Sequence, residues 1–219
     1  MYYAIIGDII NSKQIDNRRE VQEKLKYYLD KINYEYQEDL AANFTITLGD
    51  EFQGLLKSPH HIFEILSKIE IVISPLKFRF GIGIGDIITS IDNRISIGSD
   101  GPAWWHARDM VTSLKNHKSR LKLATNIKIS GLKDDLIQEL LNVNLSLCYS
   151  LKNSWTSEQK KVIDHILLKY GLNDNFIQKE VAQDLNMSPV NINKKLKLSL
   201  FYDYLYTLQT ITNLLNRER

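Results

Sequence analysis

One cysteine, Cys148, stands among 219 residues. No intramolecular disulfide can therefore staple the chain, which suits a reducing, cytoplasmic setting. No apolar run reaches the roughly 20 residues that a membrane helix needs. The N-terminus lacks the basic start and cleavage site of a signal peptide, and Asp8 interrupts its apolar run. Excess charge of one sign is also missing. With 28 Lys and Arg against 26 Asp and Glu, the net charge is +2, so no bulk field points to nucleic acid. Internal repeats and low-complexity segments are absent. What remains is 43% apolar and 25% charged, ordinary for a globular chain long enough for one or two domains with an ample core.

Local pattern predicts a βαββαβ order at the start. Residues 2–7 read as a buried strand, and Val21, Leu25, Tyr28, Leu29 and Ile32 have helical spacing over 18–40. Residues 43–56 read as a hairpin. Phe44, Ile46 and Leu48 alternate with Thr45 and Thr47, and Gly49-Asp50 supplies the turn. Pro59 opens a second helix to about Ile73. Lys77 to Ile88 is a strand whose Gly81, Gly83 and Gly85 share one face, open to close packing or binding. A short strand is expected at 94–97, a helix after Gly101-Pro102, a strand at 121–129 and a helix from Asp134 to about Tyr149.

Composition shifts after Lys152. Residues 152–219 hold 10 Lys and Arg against 7 Asp and Glu, whereas the rest hold 18 against 19. Thr156 with Gln159 fits a capping box for a helix ending at Gly171. Helices at 175–186, from Ser188-Pro189 onward, and over the aromatic-rich end complete the chain. The expected class is α+β: a ferredoxin-like βαββαβ palm domain over 1–150 and an all-α helix-turn-helix domain over 151–219.

Two Gly-Asp pairs carry the chemistry. Asp8 follows Gly7 where the first strand runs out, and Asp50 follows Gly49 in the hairpin turn. A right-handed crossover makes the second strand parallel to the first, and the third pairs with the first, so the two acids should meet at one sheet edge. Two carboxylates about 4 Å apart repel by roughly 4 kcal/mol at an effective dielectric near 20. Mg²⁺ or Mn²⁺ would relieve that repulsion, and the first helix's amides would favour phosphate. The plainer alternative makes Asp50 a turn residue and Asp8 a cap. Lys13 could hold a phosphate or stay solvated. Trp104, Trp105 and His106 suit either base stacking or core packing, and His60, His61 and His106 lack metal-ligand spacing.

Residues Asp8 to Asn17 and Gly49-Asp50-Glu51-Phe52 resemble the opening and signature hairpin of GGDEF-type diguanylate cyclases. Arg79 to Gly85 and Gly101 to Met110 resemble the later strand and following helix of class III nucleotide cyclases. The resemblance implies metal at Asp8, Asp50 and the Ile9 carbonyl, and a nucleoside triphosphate at Asn11, Ser12, Lys13 and Glu51. It implies a phosphate-stabilising role for Arg108. Leu48 replaces the first glycine of the signature, Ile46 the base-reading lysine and Trp104 the expected asparagine. Over its whole length the chain resembles the SatD family, through Gly7-Asp8-Ile9-Ile10, Gly49 to Phe52 and Gly98 to Trp104.

The C-terminal part resembles a helix-turn-helix of the sigma region 4 kind, with Phe176 to Leu185 supporting and Pro189 to Leu198 reading. Ser188, Asn191, Asn193, Lys194 and Lys195 are its candidate DNA contacts. A helical bundle for packing or dimerisation fits the same pattern. The expected function is a cytoplasmic regulator, with a metal–nucleotide site in the palm and DNA as partner, acting as a homodimer. The alternatives are an active nucleotidyl cyclase or nucleotidyltransferase, and a non-catalytic scaffold.

Overall fold

Five strands and eight α-helices make up the described residues, 1–116 and 124–217, of the computed structural model. The strands are β1 (Tyr2–Ile9), β2 (Leu40–Ile46), β3 (Glu51–Leu56), β4 (Phe78–Gly85) and β5 (Ile127–Ser130). They form one open sheet in the order β2-β3-β1-β4-β5. Neighbours are antiparallel except β4 and β5, which run parallel. Helix α1 (Arg18–Glu35) joins β1 to β2, and α2 (Ile62–Val72) joins β3 to β4. Helix α3 (Pro102–Lys115) follows β4, and α4 (Asp135–Ser154) follows β5. No described helix is long and apolar enough to cross a membrane.

Strand alternation divides the core. Tyr3, Ile5 and Ile9 of β1 join Phe52, Phe78 and Phe80 in a large cluster with α1 and α2. Ala4 and Ile6 face the other way, into a smaller cluster with Ala103, Trp104, Ala107 and Val111 of α3. On that second face the glycine stripe of β4 has found its occupant. A Cβ on Gly81 would lie 2.1 Å from the Ala107 carbonyl oxygen, and one on Gly83 only 1.9 Å from that of Ala103. The stripe is the seat of α3, whose backbone lies directly on the strand.

Four helices complete the chain: α5 (Ser157–Tyr170), α6 (Gln178–Asp184), α7 (Pro189–Leu198) and α8 (Phe201–Arg217). The expected capping box of Thr156 and Gln159 is present at the start of α5. Apolar residues of α5 to α8 belong to the same cluster as α1, α2 and the sheet. The Tyr3 hydroxyl donates to the Leu215 carbonyl at 2.9 Å, tying the first strand to the last helix. Glu64 of α2 accepts from the Tyr36 hydroxyl at 2.6 Å and from the Leu172 amide, just past α5, at 3.3 Å. Burial pushes the Glu64 carboxyl up. The Tyr36 hydrogen bond, the Lys68 ammonium and the Leu172 amide outweigh it and hold the group below its ordinary value.

Some expected boundaries move. The first helix stops at Glu35 instead of running to residue 40, because Leu40 already belongs to β2 and is buried in the sheet. Residues 94–97 form turns, not a strand. Ser96 there exchanges hydrogen bonds with Gln53 of β3 through side chains, at 2.9 and 3.0 Å. Of the strand expected at 121–129, residues 127–129 lie in β5, and 121–123 fall outside the described residues. Helix α4 runs five residues past Tyr149, and α6 is confined to seven residues.

The close seat of α3 predicts that Gly83→Ala loses about 3 kcal/mol or more in chemical denaturation, through overpacking against backbone. At Gly49 the φ of +65° strains a side chain but space is open, so Gly49→Ala should lose only about 1 kcal/mol. The reverse order would contradict this packing. For Glu64, a lowered carboxyl stabilises the fold above its unfolded pKa, and that contribution disappears as pH falls through the folded value. Glu64→Gln should thus cost about 2 kcal/mol at neutral pH. The gap from wild type should narrow as denaturation is repeated at pH values stepped down below the ordinary carboxylate range, and a constant gap would refute the assignment.

Candidate functional site

Register assembles the site. Asp8 of β1 lies opposite Glu51 of β3 on one side and opposite Arg79 of β4 on the other. Directly opposed residues share a face, so Glu51, Asp8 and Arg79 stand abreast across three strands. Arg79 has the same parity as Gly81 and Gly83, so this is the face that carries α3. Arg108 and Lys115, seven residues or two turns apart on α3, come down on the same row.

Every carboxylate oxygen in the row meets a cation. Asp8 Oδ2 accepts from Arg79 Nη1 at 3.1 Å, and Asp8 Oδ1 pairs with Lys115 Nζ at 2.8 Å. Arg108 grips Glu51 with both ends of its guanidinium, Nη1 to Oε2 at 2.5 Å and Nη2 to Oε1 at 2.8 Å. Its hydrogen bonds to Glu51 hold the Arg108 guanidinium above its ordinary value against partial burial, with the Asp8 charge adding to the effect. Thr47 Oγ1 adds a third donor to Glu51, at 3.2 Å from Oε1. The acids are deep and the two cations of α3 outward. The side chains of Asp8 and Glu51 are 8% and 6% exposed, those of Lys115 and Arg108 42% and 46%.

The hairpin turn does come to the end of β1. The Ile9 amide donates to the Asp50 carbonyl at 3.1 Å. What faces Asp8 across the ladder, however, is Glu51, and Asp50 remains in the turn, partly buried. The Ile9 side chain belongs to the core on the opposite face. Asn11 is exposed with φ 57°, and its carbonyl accepts from Gln14 in a 3-10 turn over Ser12–Gln14. Ser12 is buried and Lys13 is exposed in the same turn.

Divalent metal does not fit this arrangement as it stands. Both oxygens of Asp8 and both of Glu51 already serve protein cations. Among the described residues no group of three His, Cys, Asp or Glu side chains could hold a metal ion. Base stacking finds little support in the tryptophans. Trp104 is core, with its Nε1 donating to Ser99, while Trp105 is half-exposed and donates to Asp100 at 2.7 Å. His106 Nδ1 lies 2.8 Å from the Ile84 carbonyl oxygen.

Sequence reasoning reached Asp8, Glu51 and Arg108 but not Arg79 or Lys115 as members of the site. Two signals pointed to them. Arg79 is the polar residue on the glycine-bearing side of its strand, and Lys115 repeats Arg108 at two helical turns.

Among the C-terminal helices, α6 and α7 are joined through Leu185–Ser188, with Asn186 at φ 53°. Ser188 caps α7 by accepting from the Asn191 amide at 3.2 Å. Ile192 and Leu196 anchor α7 in the core, leaving Asn191, Lys194 and Lys197 exposed. Asn193 is partly buried, and Lys195 pairs with Glu158 of α5 at 3.3 Å.

Fold and site together define an α+β protein with an ion-paired acidic row at one end of an open sheet and four packed helices after it. The model of the SatD family matches residues 2–215, and the chain belongs to that family. No curated protein matches it.

The row predicts unequal losses on breaking its pairs. Arg108→Met strands the buried Glu51 carboxylate and should cost about 3 kcal/mol in urea denaturation. Lys115→Met leaves Asp8 its Arg79 partner and should cost about 1 kcal/mol. Equal small losses would show that the row is not a buried network.

Proposed function

We propose that this chain is a cytoplasmic DNA-binding regulator, in which a cyclase-type palm carries a site for a phosphate-bearing ligand and α6–α7 form a helix-turn-helix. The outward face of α7 carries the DNA half of this reading. Asn191, Lys194 and Lys197 are exposed along it while Ile192 and Leu196 anchor the helix. Amides of this type pair with adenine edges, and lysines with phosphates or guanine. The Ser188 cap and the short turn before α7 suit a reading helix that enters the major groove by its N-terminal end. A homodimer would place two such helices on two half-sites, and the modest charge makes dimer binding the natural form.

For the palm, support comes from the sheet order β2-β3-β1-β4 with antiparallel neighbours, the arrangement of a ferredoxin-like split unit. A nucleotide is the ligand that the Gly-Asp hairpin and the turn of Asn11, Ser12 and Lys13 favour. Nucleotidyl transfer is the weaker reading. It requires Arg108 to move with a transferring phosphate, and Arg108 is fixed at both ends on Glu51.

The DNA half is tested by fluorescence anisotropy on duplex DNA over a range of salt. Binding should weaken steeply with salt, and Lys194→Ala with Lys197→Ala should lower the log–log slope by about 2. Lys195→Ala, whose ammonium is engaged by Glu158, should change the slope less. No binding of any duplex at low salt would end the DNA reading.

A further inference from the structure

We propose that Lys115 and Arg79 stand in for the divalent cations at this sheet edge, so that the palm binds a phosphoryl chain directly, without metal. The inference rests on the ligand half of the function proposed above and deepens it.

Three observations carry it. First, the positions a metal would take on Asp8 are filled: one oxygen holds the Lys115 ammonium at 2.8 Å, the other the Arg79 guanidinium at 3.1 Å. These cations belong to the chain and cannot diffuse away. Second, the balance is reversed from that of a metal site. Within the row two carboxylates face three cations, Arg79, Arg108 and Lys115, so the row itself carries one net positive charge, and the further carboxylate of this edge, Asp50, stays in the hairpin turn outside it. A second cation would be repelled and an anion attracted. Third, the row is layered. Its acids lie buried, while Lys115 and Arg108 are more than two-fifths exposed. A lysine ammonium has three donors and a guanidinium five. One of the three on Lys115 and two of the five on Arg108 are used by the carboxylates. Solvent at this edge therefore meets hydrogen-bond donors, which fit phosphoryl oxygens and offer nothing to Mg²⁺. Asp8 and Glu51 become the struts that hold two donors at a fixed spacing. Lys13 lies exposed in the 3-10 turn that follows β1.

The ligand class is a phosphoryl chain, free or as part of a nucleotide. The test is isothermal titration of the full chain with ATP, GTP and inorganic tripolyphosphate, each in excess EDTA and again in excess Mg²⁺. Affinity in EDTA should equal that in Mg²⁺ within about threefold. Lys115→Met should weaken binding in EDTA by about tenfold, and Lys115→Arg should restore it. By freeing one oxygen of Asp8, Lys115→Met should also gain Mn²⁺ binding, read by the proton relaxation of bulk water. Circular dichroism checks that the variants fold, and Lys115→Arg keeps the test open if Lys115→Met does not. Tripolyphosphate binding as well as nucleotide assigns the free phosphoryl chain, and a nucleotide preference assigns a base-bearing ligand. Binding only with Mg²⁺ present, or Lys115→Met binding as wild type does in EDTA, overturns the inference. No binding with or without Mg²⁺ instead overturns the ligand half of the proposed function.

Discussion

Helix α3 can lie on β4 only because Gly81 and Gly83 present no side chain there, and the whole candidate site depends on that contact. Cβ atoms at these positions would fall about 2 Å from helix carbonyl oxygens. The near-contact of backbones fixes the height of α3 over the sheet. At that height Arg108 spans to Glu51 and Lys115 to Asp8. A helix held further out by alanine or valine would bring its cations within reach of water before it brought them within reach of the acids. The small residues around it, Ala4, Ala42, Ala103 and Ala107, serve the same close packing from both sides.

That contact also changes the meaning of the acidic residues. Taken alone, two carboxylates at a sheet edge suggest a metal site. Flanked by Arg79 in the sheet and covered by Arg108 and Lys115 from α3, they form a closed row whose acids are buried and whose helix-borne cations meet solvent. Coulomb attraction between fixed groups replaces attraction to a diffusible ion. The opposite face of the sheet has a different task. There α1, α2 and the C-terminal helices share one apolar cluster, and the Tyr3–Leu215 and Glu64–Leu172 hydrogen bonds join segments far apart in sequence.

Much of the fold was legible because it rests on period and punctuation. A continuous apolar run marked β1, alternation marked the first hairpin strand and β4, and apolar spacing marked α1. The capping box at Thr156 and the Ser188-Pro189 start of α7 are local hydrogen-bond devices, readable from four residues. Ends were less legible where local signals compete with burial. Leu40 continues the helical spacing of α1 yet is taken by β2, where the sheet buries it. Ser96 lies beside β3 through side-chain bonds that no strand pattern encodes.

Within the site, the sequence by itself determined that Asp8 and the Gly-Asp hairpin come to one edge, since chain order and crossover handedness impose it. It also determined that β4 has a bare glycine face, which is a property of the residues alone. Only the tertiary structure decided which acid faces Asp8, because a shift of one residue in register separates Glu51 from Asp50. Only the tertiary structure decided that the bare face would take a helix instead of a ligand, and that Arg79 and Lys115 would saturate Asp8. Those pairings join residues 71 and 107 positions away along the chain: the register of β1 on β4 sets the first, and the height at which one helix settles on two glycines sets the second.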